Sequence, residues 1–185
     1  LCKFSELAKN TRLTRYFVEA YLFALQESYV VRLVHPYFVN IGKAIVKTPK
    51  LFFCDTGIRN AVFGQFGALA QRQDAGLLVE NFIFSELIKA IDREHIWFYR
   101  TTAGSEVDFV VTTGDQIVPV EVKFSVSRQK TVPKIFATLA DHAGIKKALV
   151  ATRNYANEIE RYGACISFRP AYTLYSMQKL LGRFS

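Results

Sequence analysis

The chain has 185 residues, half of them hydrophobic, which is enough apolar material for one substantial domain or a small module joined to a medium one. No apolar run reaches the length of a membrane span, no signal-peptide pattern opens the sequence, and Cys2, Cys54 and Cys165 are too few and too widely spaced for a disulfide scaffold or a cysteine zinc site. The thiols read as buried groups of a reducing cytoplasm, and the formal charge of +8 favours a polyanionic partner while also aiding solubility. A chain that opens at Leu1 without a methionine is expected to be a fragment of a longer protein.

Residues 4–9 read as a short helix with Ser5 as its N-cap and Glu6 in its first turn. Residues 10–13 make a turn, and Thr14 caps a second helix running to about Gln26. Its Val18, Tyr21, Leu22 and Leu25 recur at helical spacing. Two β-like runs come next, at 29–34 and 44–53. A short helix, a tight turn, an amphipathic helix and two strands suggest a helix-turn-helix with a wing over residues 1–50. Arg12, Arg15, Lys43, Lys47 and Lys50 make this part basic, so it reads either as a winged helix touching DNA backbone or as a small packing module.

Residues 51–57 read as a buried strand ending in a turn, with Asp55 and Thr56 in turn or cap roles. Residues 60–74, with Gly64 and Gly67, read as a linker with helical pieces. The strongest helical signal spans 75–92. Leu77, Phe84, Leu87, Ile88 and Ile91 share one stripe, Asn81, Ser85, Lys89 and Asp92 lie to one side of it, and Glu86 lies well round the helix, as a solvated charge would. Glu80 falls inside the apolar stripe, where a carboxylate is costly unless something pairs with it.

Residues 95–101 read as a strand, and residues 106–123 form two apolar-rich runs around Gly114-Asp115. This is a hairpin pattern. A two-residue loop pairs Thr113 with Gln116 and sets Asp108 opposite Glu121. Val107, Phe109, Val111, Val118, Val120 and Val122 then share one face, and a one-residue slip would scatter them. The other face carries Glu106, Asp108, Glu121 and Lys123 at its open end. Facing carboxylates repel, and a hard cation such as Mg²⁺ would remove that repulsion. Lys123 projects from the same face and could hold a phosphate or an attacking water. Glu80 needs a partner of this kind and belongs with them. The alternative is a solvated strand end, with Glu106 opposite Lys123 in a surface pair worth under about 1 kcal/mol.

Beyond the hairpin, residues 124–130 are polar and basic. Residues 131–142 read as a helix with Pro133 in its first turn, 146–152 as a buried strand, 154–162 as a short helix, 165–169 as a strand and 172–181 as a terminal helix. His35, His95 and His142 have no metal spacing and read as structural. There is no Gly-x-x-x-x-Gly-Lys-Ser/Thr loop, so no ATP site of that type is expected within these residues.

The order helix, strand, hairpin, helix, strand, with Glu80, Asp108 and Glu121-Val122-Lys123 at these places, resembles the PD-(D/E)xK nuclease superfamily. The resemblance implies an α/β fold, a restriction-endonuclease-like core (a mixed sheet flanked by helices) over residues 51–185, preceded by the small winged-helix module of residues 1–50. It also implies Mg²⁺ or Mn²⁺ held by Asp108, Glu121, Glu80 and the backbone carbonyl of Val122, with Lys123 assisting the attacking water. Position 107, Pro in the family name, is Val here. Over nearly its whole length, and above all in residues 50–58, 76–87 and 106–110, the chain resembles the C-terminal half of a family of prokaryotic AAA-type ATPases. That resemblance implies an ATPase domain elsewhere in the same full-length chain. The thiols and the lack of a membrane-length apolar run give the expected cytoplasmic location and no membrane partner, and an oligomer is possible. The expected function is a Mg²⁺-dependent phosphodiesterase acting on nucleic acid, DNA in the first place. The competing expectation is a non-catalytic DNA- or partner-binding module, and a purely structural oligomerisation unit is the third.

Overall fold

A computed structural model describes residues 1–38, 48–101, 103–128 and 130–175. Helix α1 (Phe4–Thr11) and helix α2 (Arg15–Glu27) open the chain. Thr14 caps α2 as its sequence suggests, its hydroxyl accepting the Phe17 N–H at 3.4 Å. Ser5 lies inside α1, whose N-cap is Lys3. Only Val18 and Leu22 of α2 are buried, and Tyr21 and Leu25 of the sequence stripe face solvent. Strand β1 (Val31–Val34) pairs antiparallel with β2 (Lys50–Phe53). The strand expected over 44–53 is thus seen from Lys50 onward, and its residues 44–47 lie outside the described residues.

This strand pair is continuous with the larger unit on its C-terminal side. Phe52 stacks on Phe84 at 4.9 Å and lies 5.1 Å from Phe109, while Asn81 accepts the Phe53 N–H and donates to the Phe53 carbonyl, both at 2.9 Å. A cut after residue 50 would divide β2, whose burial and hydrogen bonds tie it to that unit. Asp55 then caps helix α3 (Thr56–Phe63), accepting the Ile58 N–H at 2.9 Å. The stretch read as a linker is tied down instead. Asp74 takes two hydrogen bonds from Arg72 and one from Arg59, each at 2.8 Å, and Arg72 also donates to Asn60 and to the Gln65 carbonyl.

Helix α4 (Ala75–Ala90) precedes a six-stranded mixed sheet ordered β3-β4-β5-β6-β8-β7. Strands β3 (Ile96–Arg100), β4 (Glu106–Thr113) and β5 (Gln116–Lys123) form an antiparallel meander. Helix α5 (Ile135–Ala143) crosses over to β6 (Lys147–Thr152), which runs parallel to both β5 and β8 (Ala164–Pro170). Both faces of the sheet are covered. Ile83, Phe84 and Leu87 of α4 meet Phe109, Val111, Val118 and Val120 on one face. Phe136 and Leu139 of α5 meet Val107, Val110, Val150 and Ile166 on the other.

Several local expectations are corrected. Residues 157–161 form β7 (Asn157–Arg161), an exposed edge strand, and not a helix. Tyr162 and Gly163 both take positive φ (56° and 71°), the two-residue hairpin turn that joins β7 to β8. On α4, Leu77 is exposed, whereas Asn81, Ser85 and Glu86 are buried. The helix packs against both the sheet and the β2–α3 segment, so it buries more than one stripe and a single-stripe reading fails. Glu86 is not solvated; its carboxylate accepts from Lys89 Nζ at 2.6 Å. The three thiols are half-buried and free. A 3₁₀ turn occupies Ala171–Leu174, and the rest of the expected terminal helix from residue 176 lies outside the described residues. No helix among the described residues is long and apolar enough to cross a membrane.

Candidate functional site

The β4–β5 ladder starts at Thr113↔Gln116 and runs to Phe109↔Val120, the register expected from the sequence. Gly114 takes φ 55°, the conformation its missing Cβ permits in so tight a loop. At the open end, the β3–β4 pairing shifts by one residue, from Trp97↔Val110 to Tyr99↔Val107. Two residues of β4, Asp108 and Phe109, therefore stand against Phe98 alone, which is a β-bulge. The bulge corrects the expected alternation. Val107 packs with Val110 on the α5 side, while Phe109 lies on the α4 side, where Asp108 also meets Lys50.

Asp108 and Glu121 replace ladder hydrogen bonds at this point. Glu121 accepts the Asp108 N–H at 3.4 Å, and Asp108 accepts the Val122 N–H at 2.8 Å. Glu80, Asp108, Glu121, Val122 and Lys123 line one open cavity of about 270 Å³, with Gly76, Phe124 and Arg128 among its walls. All five residues expected at the site thus meet one space. Among the described residues, no group of three or more His, Cys, Asp or Glu side chains is placed to hold a metal ion as they stand.

Lys50 already takes the cation's part. Its ammonium lies 2.9 Å from Glu80, 2.6 Å from Glu106 and 3.7 Å from Asp108, and its side chain is only 12% exposed. Glu106 also accepts from Arg100 at 3.3 Å. Lys123 pairs with Glu121, so the Glu106–Lys123 surface pair of the solvated alternative is not formed. Sequence reading missed both Lys50 and the inward role of Glu106. The signal for Lys50 was strand alternation, since residues two apart share a face and Phe52 is core.

The electrostatics are those of a crowded acidic pocket. Burial, then Asp108, pushes the Glu121 carboxyl up to about 7, with Lys123 opposing. Burial, then Asp108, raises Glu80 against the pull of Lys50. Burial raises Asp108 as well, opposed by Lys50 and the Val122 N–H. Burial works against the Lys50 ammonium, but Glu80, Asp108 and Glu106 together raise its pKa above that of an ordinary lysine. Burial and mutual repulsion disfavour the ionised forms of these carboxylates, and added positive charge, such as a hard divalent cation, would favour them. By donor type alone, the carboxylate oxygens of Glu80, Asp108 and Glu121 are of the kind such a cation takes.

Residues 75–171, more than half of the chain, match the family described as Domain of unknown function (DUF4143). The chain belongs to that family. The DUF4143 region begins at the first residue of α4 and contains Glu80, Glu106, Asp108, Glu121 and Lys123. Residues 1–69, which include Lys50, match a second family, Domain of unknown function (DUF8612). The two matches meet between 69 and 75, so Lys50 reaches the acidic pocket from outside the DUF4143 region. The chain is also similar to the uncharacterized proteins Mb2031c of Mycobacterium bovis and Rv2008c of Mycobacterium tuberculosis, at 29% identity over 121 residues in each case. The match covers 64% of this chain and 27% of each relative, so the chain spans about a quarter of their length.

Proposed function

We propose that the DUF4143 region is a divalent-metal-dependent phosphodiesterase domain acting on DNA, built on a restriction-endonuclease-like core and attached to an AAA-type ATPase in the full-length protein. The observation that carries this reading is the meeting of Glu80, Asp108, Glu121 and Lys123 around one cavity at the bulged end of the hairpin. The element order α4-β3-β4-β5-α5-β6, with β6 parallel to β5, supports the core assignment.

A bound Mg²⁺ would polarise the scissile phosphate and lower the pKa of a bound water. Asp108, Glu121 and Glu80 would hold the ion through carboxylate oxygens, and the Val122 carbonyl is the further candidate ligand. Lys123, beside Glu121, would steady the water or a phosphate oxygen. Arg128 in the cavity wall, and Arg153 lying 5.7 Å from the Phe124 ring centre, would attract the polyanion.

The test is cleavage of plasmid and single-stranded DNA with Mg²⁺ or Mn²⁺. Wild type should cut, and Asp108→Asn should not, while both give the same circular dichroism spectrum. Equal cutting by both proteins sinks the site. A second reading, a non-catalytic DNA- or partner-binding module, is favoured by Lys50, whose ammonium already compensates Glu80, Glu106 and Asp108. It is the better reading if wild type binds DNA and leaves it intact with either ion.

A further inference from the structure

Lys50 stands apart from the carboxylates of the pocket and from Lys123. Glu80, Glu106, Asp108, Glu121 and Lys123 belong to α4, β4 and β5, whereas Lys50 opens β2, thirty residues before Glu80. It comes from the other family match and contacts three carboxylates at once. Its ammonium also lies 5.9 Å from the Phe52 ring centre and 5.6 Å from that of Phe98. Aromatic faces attract a desolvated cation and help to hold it.

The backbone that carries Lys50 is fixed independently of this charge cluster. Phe52 is wedged between Phe84 and Phe109, and Asn81 clamps both backbone polar groups of Phe53. Strand β2 therefore stays in place when the ammonium leaves the carboxylates, and the side chain alone can move.

We propose that Lys50 is the resident cation of the pocket, which a divalent ion bound by Glu80 and Asp108 must displace. The inference rests on the metal reading of the same pocket and adds a competitor to it. An ammonium makes up to three hydrogen bonds and carries one charge, whereas a divalent ion takes more oxygen ligands and carries two. Sharing the same carboxylates would set the ammonium and the ion, both positive, within about 4 Å of each other, and their repulsion opposes joint occupancy. Lys50 is thus a positioning residue, keeping the pocket compact in the absence of metal and weakening the apparent affinity for it. Because it reaches in from β2, metal occupancy is coupled to the segment that precedes the DUF4143 region.

The test compares wild type, Lys50→Met and Lys50→Arg as full chains. Met keeps the apolar stem and removes the charge; Arg keeps the charge. Mn²⁺ binding is measured by titration calorimetry. Lys50→Met should bind at least about tenfold more tightly than wild type, because a positive charge within about 4 Å of the ligand oxygens is gone. Lys50→Arg should stay within about threefold of wild type by the same argument. Without metal, Lys50→Met should melt below wild type, and Mn²⁺ should recover the difference.

Should Lys50→Met fail to fold, the wild-type protein decides through its lysine ammonium NMR signals. The Lys50 signal, assigned by its loss in Lys50→Arg, should move on Mg²⁺ saturation. Mn²⁺ binding that is equal or weaker in a folded Lys50→Met overturns the proposal and leaves the metal reading standing. So does Mg²⁺ saturation without movement of the Lys50 signal. If wild type and the folded variants all bind no divalent ion, the metal reading falls, and this inference falls with it.

Discussion

The two ends of the β4–β5 hairpin are made of the same strands and behave oppositely. Toward the loop, Phe109, Val111, Val118 and Val120 are at most 1% exposed, and their strands keep a regular ladder. Toward the open end, the ladder gives way to carboxylate-to-backbone hydrogen bonds, the bulge turns Asp108 toward the α4 side, and Lys50 and Lys123 compensate the acids. One end is optimised for burial. The other holds carboxylates that burial and mutual repulsion push toward their neutral forms, an arrangement more typical of sites than of scaffolds.

The contrast is broken most severely from the dry end. Phe109→Ala removes a ring that packs against Phe52 at 5.1 Å and Phe84 at 6.2 Å. Thermal or urea unfolding should register a loss of about 3–5 kcal/mol. A loss below about 1 kcal/mol would mean that β2 and α4 do not share this core.

The wet end should reveal itself by its pH dependence. The Glu121 carboxyl is held up to about 7, against an ordinary 4.5. With the folded value raised, its contribution to stability is complete below about pH 4.5. It is lost as pH rises to about 7, by on the order of 2–3 kcal/mol at most. Asp74, held below the usual carboxylate range by Arg72 first and then Arg59, has the opposite sign and loses its contribution only in stronger acid. Melting temperature measured without metal should therefore fall between pH 4.5 and pH 7. Glu121→Gln should flatten that slope, and an unchanged slope in the variant would assign it to other groups.

The smallest expected effect sharpens the comparison. Asp108→Asn keeps an acceptor for the Val122 N–H and removes a charge that raises both Glu80 and Glu121. Without metal it should stabilise by a few tenths to about 1 kcal/mol. Mg²⁺ should raise the melting temperature of wild type and not that of the variant. Equal Mg²⁺ responses would remove Asp108 from the ligand set.

Local sequence alone determined much of this protein. Gly114-Asp115 between alternating valines set the hairpin register, Thr14 announced the start of α2, and the apolar density of 75–90 announced α4. These features depend on neighbours within a few residues, where period and capping operate. Register brought Asp108, Glu121 and Lys123 together at the open end of the hairpin, and Glu80 joins them only because α4 docks there.

Tertiary structure alone decided who compensates whom. The bulge against Phe98 split Val107 from Phe109, and the second buried side of α4 took in Asn81, Ser85 and Glu86 and left Leu77 outside. The hairpin with β8 turned residues 157–161 into a strand. Lys50 found its carboxylates across thirty residues of chain. No periodicity encodes such a partnership, because a charge is satisfied by whichever group the packed core brings within reach, and that is settled only when β2, α4 and β4 dock together.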